Sequence, residues 1–404
     1  MTTTASRRTE RTAPSGSPVA TYYLLAVASA MLVVVGLAVV LSSTANISLQ
    51  RPDGNPFTLF MIQAVALFIG TAALVVGSRM PVTFWKRAAP WILYASMGLL
   101  VLVATSGIAS GGNRNWIRVG PVTFQPSEVA KLGLALSLGV VLSTFRRELT
   151  SLYRILVPGG IMAAAVLGLV MLGNDMGTAM VIGLVAAGAY WVAGLPLRFF
   201  ALGAAAAVLA GLIMLQQGVT RGGRIDAWLN PETADPSGIG LQALHSKWAL
   251  ASGGLWGLGP GMSREKWGYL PVADSDFIFA IIGEEYGLVG TLLMLVAFGM
   301  IAVAVNRLIR RHKDPFVQIA AAGIGAWIVG QACINIAVVI GLAPITGVPL
   351  PLVSSGGSSL IVSLAAIGVL MAFARREPGA PEAFAARPSV VKKSIAVIAR
   401  GRRG

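Results

Sequence analysis

The sequence predicts an all-α polytopic membrane protein of about ten transmembrane helices, with a large extracytoplasmic loop between the seventh and eighth. Three observations carry this expectation. Only 12% of the 404 residues are charged, about half the ~25% usual in soluble domains; 55% are hydrophobic, and the mean hydropathy is +0.76. Apolar runs long enough to cross a bilayer, about 20 residues each, recur along the whole chain. The basic residues between those runs gather in alternate connections, as the positive-inside rule describes.

Taken in order, the runs lie near 20–42, 56–78, 88–107, 127–145, 155–173, 175–195, 199–217, 277–305, 317–341 and 356–374. Only a short turn around Gly173-Asn-Asp175 separates the fifth from the sixth. Ten crossings bring both termini to one side. With that side cytoplasmic, the inner segments hold Arg7, Arg8 and Arg11, then Arg79, Lys86 and Arg87, then Arg146, Arg147 and Arg154. Arg198 follows, then Arg307, Arg310, Arg311 and Lys313, and eight more from Arg375 to Arg403, making 22 of the 31 basic residues. Of the 16 acidic residues, 11 lie outside or within the membrane. Chemistry is therefore expected on the outer face, at 108–126, in the loop 218–276, or at 342–355.

The net charge of +15 reads as an orientation signal and a contact with the anionic inner leaflet; nucleic acid is not expected as a partner. The single cysteine, Cys333, excludes an intrachain disulfide and a thiolate metal cluster. His245 and His312 are the only histidines and stand far apart, which speaks against a histidine-rich metal site. The first apolar run is too long for the core of a cleavable leader. Residues 1–19 and 376–404 lack periodicity and are rich in Ser, Thr, Arg, Pro and Ala. They are expected to be disordered basic cytoplasmic tails flanking one membrane domain over 20–375.

The first outer segment reads Gly112-Asn-Arg-Asn-Trp-Ile-Arg-Val-Gly120 and then Phe124-Gln-Pro-Ser-Glu-Val-Ala-Lys131. Pro126 favours an extended residue before it, and Ser127 is placed to cap the helix that follows. Glu128 and Lys131 share a helix face at i,i+3. Trp116 and Arg118 also suit simple interfacial anchoring, but Lys131 lies a turn inside a span on the outer side, where a polar cavity explains it better. At Gly173-Asn-Asp-Met-Gly-Thr-Ala179, Asp175 is either a helix cap or a site residue.

In the long loop, Arg221, Arg224, Asp226, Asn230-Pro231 and Asp235-Pro236 read as turns, and Gln242-Ala-Leu-His-Ser-Lys-Trp248 as a short amphipathic helix. The glycine-rich run 252–263 either lets backbone N–H groups approach an anion or forms a flexible lid. Arg264 and Lys266 directly after it favour a phosphate-bearing ligand. The loop ends at Tyr269-Leu-Pro-Val-Ala-Asp-Ser-Asp-Phe-Ile-Phe-Ala280, continuing into Gly283-Glu-Glu-Tyr-Gly287. Acids inside a membrane are costly, roughly 2.5–3.5 kcal/mol each at the helix centre, so a cluster of them points to a site. Asp276, at a helix start, also suits a cap. Glu284 and Glu285 lie roughly 12 Å deeper and cannot cap; they either bond to neighbouring helices or hold the loop in place, and the second is favoured. The last outer segment, 341–359, combines prolines with Ser354-Ser-Gly-Gly-Ser-Ser359. Non-helical backbone of this kind at membrane depth must be buried in protein or line a wet cavity.

Four of these stretches, in this order, resemble the SEDS family (shape, elongation, division, sporulation), which includes FtsW, RodA and SpoVE. They are Trp116-Ile…Gly120…Gln125-Pro-Ser-Glu…Lys131; Asp175-Met-Gly-Thr-Ala; the run from Ser252-Gly-Gly through Tyr269-Leu-Pro and Asp276-Phe-Ile-Phe-Ala to Glu284-Glu…Gly287; and Pro344-Ile-Thr-Gly-Val-Pro-Leu-Pro…Ser354-Ser-Gly-Gly-Ser-Ser. The likeness extends from the first span to about Arg376, and Leu41-Ser-Ser-Thr-Ala looks more like the FtsW branch. The chain departs from the usual pattern at Val272 (commonly Glu), Asp274 (His), Asn174 (Pro) and Leu241 (Tyr). Asp274 leaves two aspartates two residues apart, so Asp276 is picked out by its neighbour Phe277.

The resemblance implies a peptidoglycan glycosyltransferase that polymerises lipid II at the outer face of the plasma membrane. A class B penicillin-binding protein (an FtsI-type transpeptidase) and other division proteins are the implied partners. It implies Asp276 as the catalytic residue, with Glu128 and Lys131 close to it. Substrate binding or support is expected from Arg114, Trp116, Gln125, Ser127, Asp175, Gln242, Ser246, Lys266, Glu284, Glu285, Ser354 and Ser355. Lys131, Arg114 and Lys266, aided by a divalent cation (Mg or Mn), would neutralise the departing pyrophosphate; no organic cofactor is expected. Two other readings stay open: a transporter that flips lipid II without chemistry, disfavoured because the charges lie on one membrane side rather than at a midplane repeat interface, and a scaffold acting through its basic tails. An elongation polymerase of the RodA kind is the nearest alternative within the resemblance.

Overall fold

The computed structural model describes residues 17–52, 54–110, 113–119, 122–145, 152–216, 228–229 and 239–386. The expected helices are present: α1 (Ala20–Leu49), α2 (Thr58–Arg79), α3 (Val82–Ser106), α4 (Pro126–Phe145), α5 (Leu152–Leu172), α6 (Met176–Ala193) and α7 (Leu197–Gln216). After the loop come α8 (Ile239–Gly253), a 3-10 turn Glu265–Trp267, α9 (Ile278–Arg311), α10 (Pro315–Val339), α11 (Gly357–Ala374) and α12 (Ala380–Ala386). By length and composition, eight of the described helices can cross a membrane; the shorter apolar stretches Leu156–Leu172 and Leu197–Ala206 stand where the fifth and seventh spans were expected.

The helices differ sharply in how much protein surrounds them. In the apolar windows of α4 and α11, 72% and 78% of residues are buried, against 17% in α2. α4, α10 and α11 therefore form the inner layer, and α2 and α3 present most of their surface outward, where an all-apolar face suits lipid. α11 lies along α2, α4 along α3, and α10 against α4, α6 and α9. α10 carries the largest fully buried side chain, Trp327.

α1 runs past the expected end at 42 because its hydroxyls are satisfied without leaving the helix. Ser43 Oγ donates to Val39 O at 2.9 Å and Thr44 Oγ1 to Val40 O at 2.7 Å. Three further differences from expectation are structural. The first outer segment is a small antiparallel sheet, β1 (Ile108–Ser110), β2 (Asn113–Val119) and β3 (Val122–Phe124), in the order β1-β2-β3. Trp116 faces Ile108 and Ile117 faces Phe124 in its register; helical periodicity gives no sign of so short a sheet. Second, part of the carboxy-terminal segment expected to be disordered is ordered: α12 brings Phe384 edge-on to Tyr22, with Arg375 over both rings. Third, α9 is 34 residues long and breaks at Gly287 (φ 64°, ψ −159°). The turns expected at Arg221, Arg224, Asp226, Asn230 and Asp235, and the rest of both tails, lie outside the described residues.

Candidate active site

Asp276 ends the segment that leads into α9. It is not that helix's cap: the capping position is Phe277, and no side chain caps the turn. Asp276 is half-buried, and its Oδ1 accepts from Ser275 Oγ at 3.3 Å. A Cβ placed on Gly347 would come within 3.7 Å of its Oδ2. The backbone around it is held from two directions. Asn335 Nδ2 on α10 donates to Asp276 O and to Val348 O, both at 2.7 Å. Ser354 Oγ donates to Ser275 O at 2.6 Å, and Ser355 N donates to Asp274 O at 2.9 Å. Val272, a β-branched residue at φ 57°, sits in a region costly for such side chains, so this loop is held in its shape by its surroundings. Burial pushes the Asp274 carboxyl above its usual range, opposed in part by hydrogen bonds from its own backbone and from Ser355.

The Ser/Gly run that tethers Asp274 and Ser275 also reaches the Gln125-Pro-Ser-Glu segment. Ser358 Oγ accepts from Gln125 N at 3.3 Å, and Ser359 Oγ donates to Glu128 Oε2 at 3.4 Å. Gln63 on α2 fixes the same run, donating to Ser354 O at 3.2 Å and accepting from Gly356 N at 3.1 Å. Six residues, 354–359, thus connect the Asp276 loop to the start of α4.

Glu128 and Lys131 form the expected i,i+3 pair at 2.8 Å, with both side chains almost wholly buried. Lys131 Nζ also donates to Gln331 Oε1 at 3.0 Å and lies 4.7 Å from the centroid of Trp327. Gln331 in turn donates to Pro349 O at 2.8 Å. Gln331 and Asn335 are one turn apart on α10, about 6 Å, so one helix face holds both the lysine and the aspartate loop. The ammonium is fully engaged by protein. Lys131 therefore does not have the free charge expected of a group that neutralises a leaving diphosphate; its contacts make it a support.

The same correction applies to Lys266. Its Nζ donates to Ser42 Oγ (2.6 Å), Gly261 O (2.6 Å) and Glu285 Oε1 (3.1 Å), and the residue is 7% exposed. Ser42 Oγ completes the triangle by donating to Glu285 Oε1. Glu284 accepts from Ser263 Oγ at 2.5 Å, from Arg264 N at 2.9 Å and from Glu265 N at 3.4 Å. Both glutamates clamp the outer loop onto α9, as expected. The glycines of 252–263 serve that clamp too, and not an open anion cradle: a Cβ on Gly253 would collide with Gly283 O, and one on Gly257 with Glu285 O.

Asp175 is the cap of α6. Its Oδ1 accepts from Thr178 N at 2.9 Å, and its Oδ2 accepts from Thr178 Oγ1 (2.6 Å), Asn115 Nδ2 (2.7 Å) and Gln125 Nε2 (3.3 Å). It pins the sheet to the helices. Beside it a small open hollow is lined by Arg114, Asn115, Ser127, Asp175 and the flanks of α3 and α5. Ser127 is not the cap of α4; its Oγ is buried with no partner among the described residues. Arg114 and Arg118 on β2 are exposed and Trp116 is half-buried, so Arg114 keeps an accessible charge. Ser246 on α8 donates to Ala243 O and Val339 O. Gln242 is half-buried on the same helix and makes no hydrogen bond to the other candidates among the described residues.

Several supporting residues escaped the sequence reading: Ser42, Gln63, Asn115, Trp327, Gln331 and Asn335. Gln331 and Asn335 had a signal, being amides four apart inside an apolar span, where polar side chains mark interior contacts. Ser42 and Gln63 had none beyond their polarity.

The family described as cell cycle protein, FTSW_RODA_SPOVE, matches residues 22–378. The chain is 40% identical over 373 residues to the probable peptidoglycan glycosyltransferase FtsW of Mycobacterium tuberculosis, covering 92% of this chain and 71% of that protein. It is 36% identical over 364 residues to stage V sporulation protein E of Bacillus subtilis, covering 87% and 96%. Among solved structures, it superposes on a chain of a peptidoglycan synthase complex described as coordinating polymerization and crosslinking, with a TM-score of 0.70, 27% identity, and coverage of 87% and 97%. The rod shape determining protein RodA of Thermus thermophilus gives a TM-score of 0.63 at 26% identity, covering 87% and 96%. With these matches spanning nearly all of its membrane region, the chain belongs to the FtsW/RodA/SpoVE family of cell cycle proteins.

Proposed function

We propose that the chain is a peptidoglycan glycosyltransferase of the FtsW kind, polymerising lipid II into glycan strands at the outer face of the bacterial plasma membrane for septal wall synthesis. The observation that carries the reading is the 354–359 run, which ties the half-buried Asp276 loop to the Gln125-Pro-Ser-Glu segment. Both termini are cytoplasmic on this reading, as the distribution of basic residues requires. A class B penicillin-binding protein is the partner, with other division proteins around it; similarity to a chain of a peptidoglycan synthase complex supports this.

Asp276 takes the proton from the 4-hydroxyl of the acceptor sugar as that oxygen bonds to the donor's anomeric carbon. The bond from that carbon to the lipid diphosphate breaks, and the diphosphate leaves with the electron pair. An α-linked donor becoming a β-linked chain is an inversion, for which one carboxylate base is enough. Arg114 supplies positive charge toward the leaving group, while Lys131 and Lys266 act at one remove by holding α4, α10 and the outer loop. Among the described residues no group of three or more His, Cys, Asp or Glu could hold a metal ion. Among those residues a protein-built metal cage does not fit, and on this reading Mg or Mn goes with the diphosphate of the substrate.

The test is glycan synthesis from purified lipid II by the protein with its transpeptidase partner. Asp276→Asn is expected to abolish polymer while leaving the protein folded. Normal polymer from that variant would overturn the assignment, and lipid II translocation in liposomes without polymer would favour a transporter.

A further inference from the structure

The break in α9 at Gly287 frees backbone groups that, at membrane depth, must find partners. The glycine turn after α8 supplies them. Leu288 N donates to Gly254 O at 3.0 Å and Val289 N to Leu255 O at 3.3 Å, while Leu258 N and Gly259 N donate to Glu284 O (2.9 Å) and Glu285 O (3.0 Å). Four reciprocal bonds lock the turn to one level of the helix. At that level Leu255 is 63% and Trp256 80% exposed.

The helix itself shows which level this is. Arg307, Arg310 and Arg311 stand at its far end. Counting back from Arg307, 20 residues at about 1.5 Å each reach Gly287, about 30 Å, the thickness of the hydrocarbon core. From Leu288 to Val305 the exposed side chains are apolar, including Leu288, Val289, Leu292 and Val296, and the exposed polar Asn306 comes only next to Arg307. Beyond Gly287 come Glu285 and Glu284. Gly287 thus marks the edge of the hydrocarbon, and Leu255 and Trp256 continue the apolar stripe of α9 up to that edge. Tryptophan is favoured there, with its ring in the headgroup boundary.

We infer that the glycine turn is an interfacial anchor: Leu255 and Trp256 enter the outer leaflet at the boundary between tails and headgroups and fix the height of the Asp276 loop above the lipid. The side on which it lies rests on the orientation proposed above. Ile278, the first residue of α9, stands nine residues before Gly287, on the side of the break away from the apolar stripe, so the loop meets the headgroup side of a lipid-linked substrate and not its tail.

The experiment uses the full chain in phosphatidylethanolamine–phosphatidylglycerol vesicles, with Cys333→Ser as background because Cys333 is the single cysteine. Trp256→Cys is labelled with an environment-sensitive fluorophore and quenched with lipids spin-labelled at a shallow or a deep acyl position, and with aqueous iodide. Leu292→Cys serves as the deep reference and Trp267→Cys, 58% exposed on the 3-10 turn, as the aqueous one. The expected result is a blue-shifted emission, stronger quenching by the shallow label than by the deep one, and loss of most iodide quenching relative to position 267. Iodide quenching equal to that at 267, or a depth profile equal to that at 292, would overturn the anchor. If the label at 256 disturbs folding, Leu255→Cys with Trp256 intact is read by the same criteria. None of these signals depends on polymer synthesis, so failure of the functional assignment and failure of the anchor are separable.

Discussion

Asp175 and Asp276 occupy matching places in the chain, each just before an outer helix and each with a loop behind it. Their surroundings are opposite. Asp175 caps α6 and accepts from four groups, Thr178 N, Thr178 Oγ1, Asn115 and Gln125, with 6% of its surface exposed. Asp276 caps nothing, is half-buried, and is gripped through its backbone carbonyl by Asn335 while its carboxylate faces Gly347. One aspartate spends its acceptor capacity on capping a helix; the other is gripped through its main-chain carbonyl, with Ser275 Oγ on its carboxylate. A carboxylate wrapped in donors makes a poor base, because each donor stabilises the ionised form it would have to give up.

Four single substitutions and one double variant sharpen or break that contrast. The largest effect is expected at Asp276: Asp276→Asn should lower the rate of polymerisation by about a hundred- to ten-thousand-fold, with the unfolding temperature in detergent unchanged. A fall in unfolding temperature instead would make Asp276 structural, like Asp175. Next is the support behind the Asp276 loop. Lys131→Met leaves Glu128 ionised and uncompensated in the interior, at a cost of about 3–5 kcal/mol in thermal unfolding. The double variant with Glu128→Gln should recover most of that loss, and failure to do so would mean the ion pair is not what the lysine contributes.

Asp175→Ala should then cost about 2 kcal/mol, a cap and its attached hydrogen bonds, and should reduce polymerisation only in proportion to the folded fraction. The smallest effect concerns Asp274, whose carboxyl is raised by burial. A raised folded-state value means that its contribution to stability is present below the ordinary carboxylate range, near pH 4, and is lost as pH rises through the raised value. Asp274→Asn should therefore be the more stable protein at neutral pH, and the difference should vanish toward pH 4 in a pH series of melting curves. A gap that persists at low pH would remove the burial explanation.

Much of the molecule was legible in the chain because lipid imposes simple rules. The spans, the division at Gly173-Asn-Asp175 and the Glu128–Lys131 pair all follow from run length and helical spacing. The second-tier role of Glu284 and Glu285 followed from depth alone. The partner of Lys266 did not, because a basic residue beside a site reads the same whether its partner is a ligand or a buried glutamate 19 residues away. The sheet at 108–124 was hidden for another reason: its strands are three to seven residues long, too short for periodicity to register. At Asn174 φ is 64°, a conformation proline cannot adopt, and only the fold reveals this turn's shape.

Composition and spacing by themselves determined that the chain crosses a membrane repeatedly and that its acids collect toward one end of the spans. These are consequences of transfer free energy, which each segment meets independently of the others. Tertiary structure alone decided which aspartate caps a helix and which is gripped through its carbonyl, and that the glycines bring a turn against a broken helix. Those outcomes depend on hydrogen bonds between segments as much as 293 residues apart, and no local pattern encodes which donor will meet which acceptor.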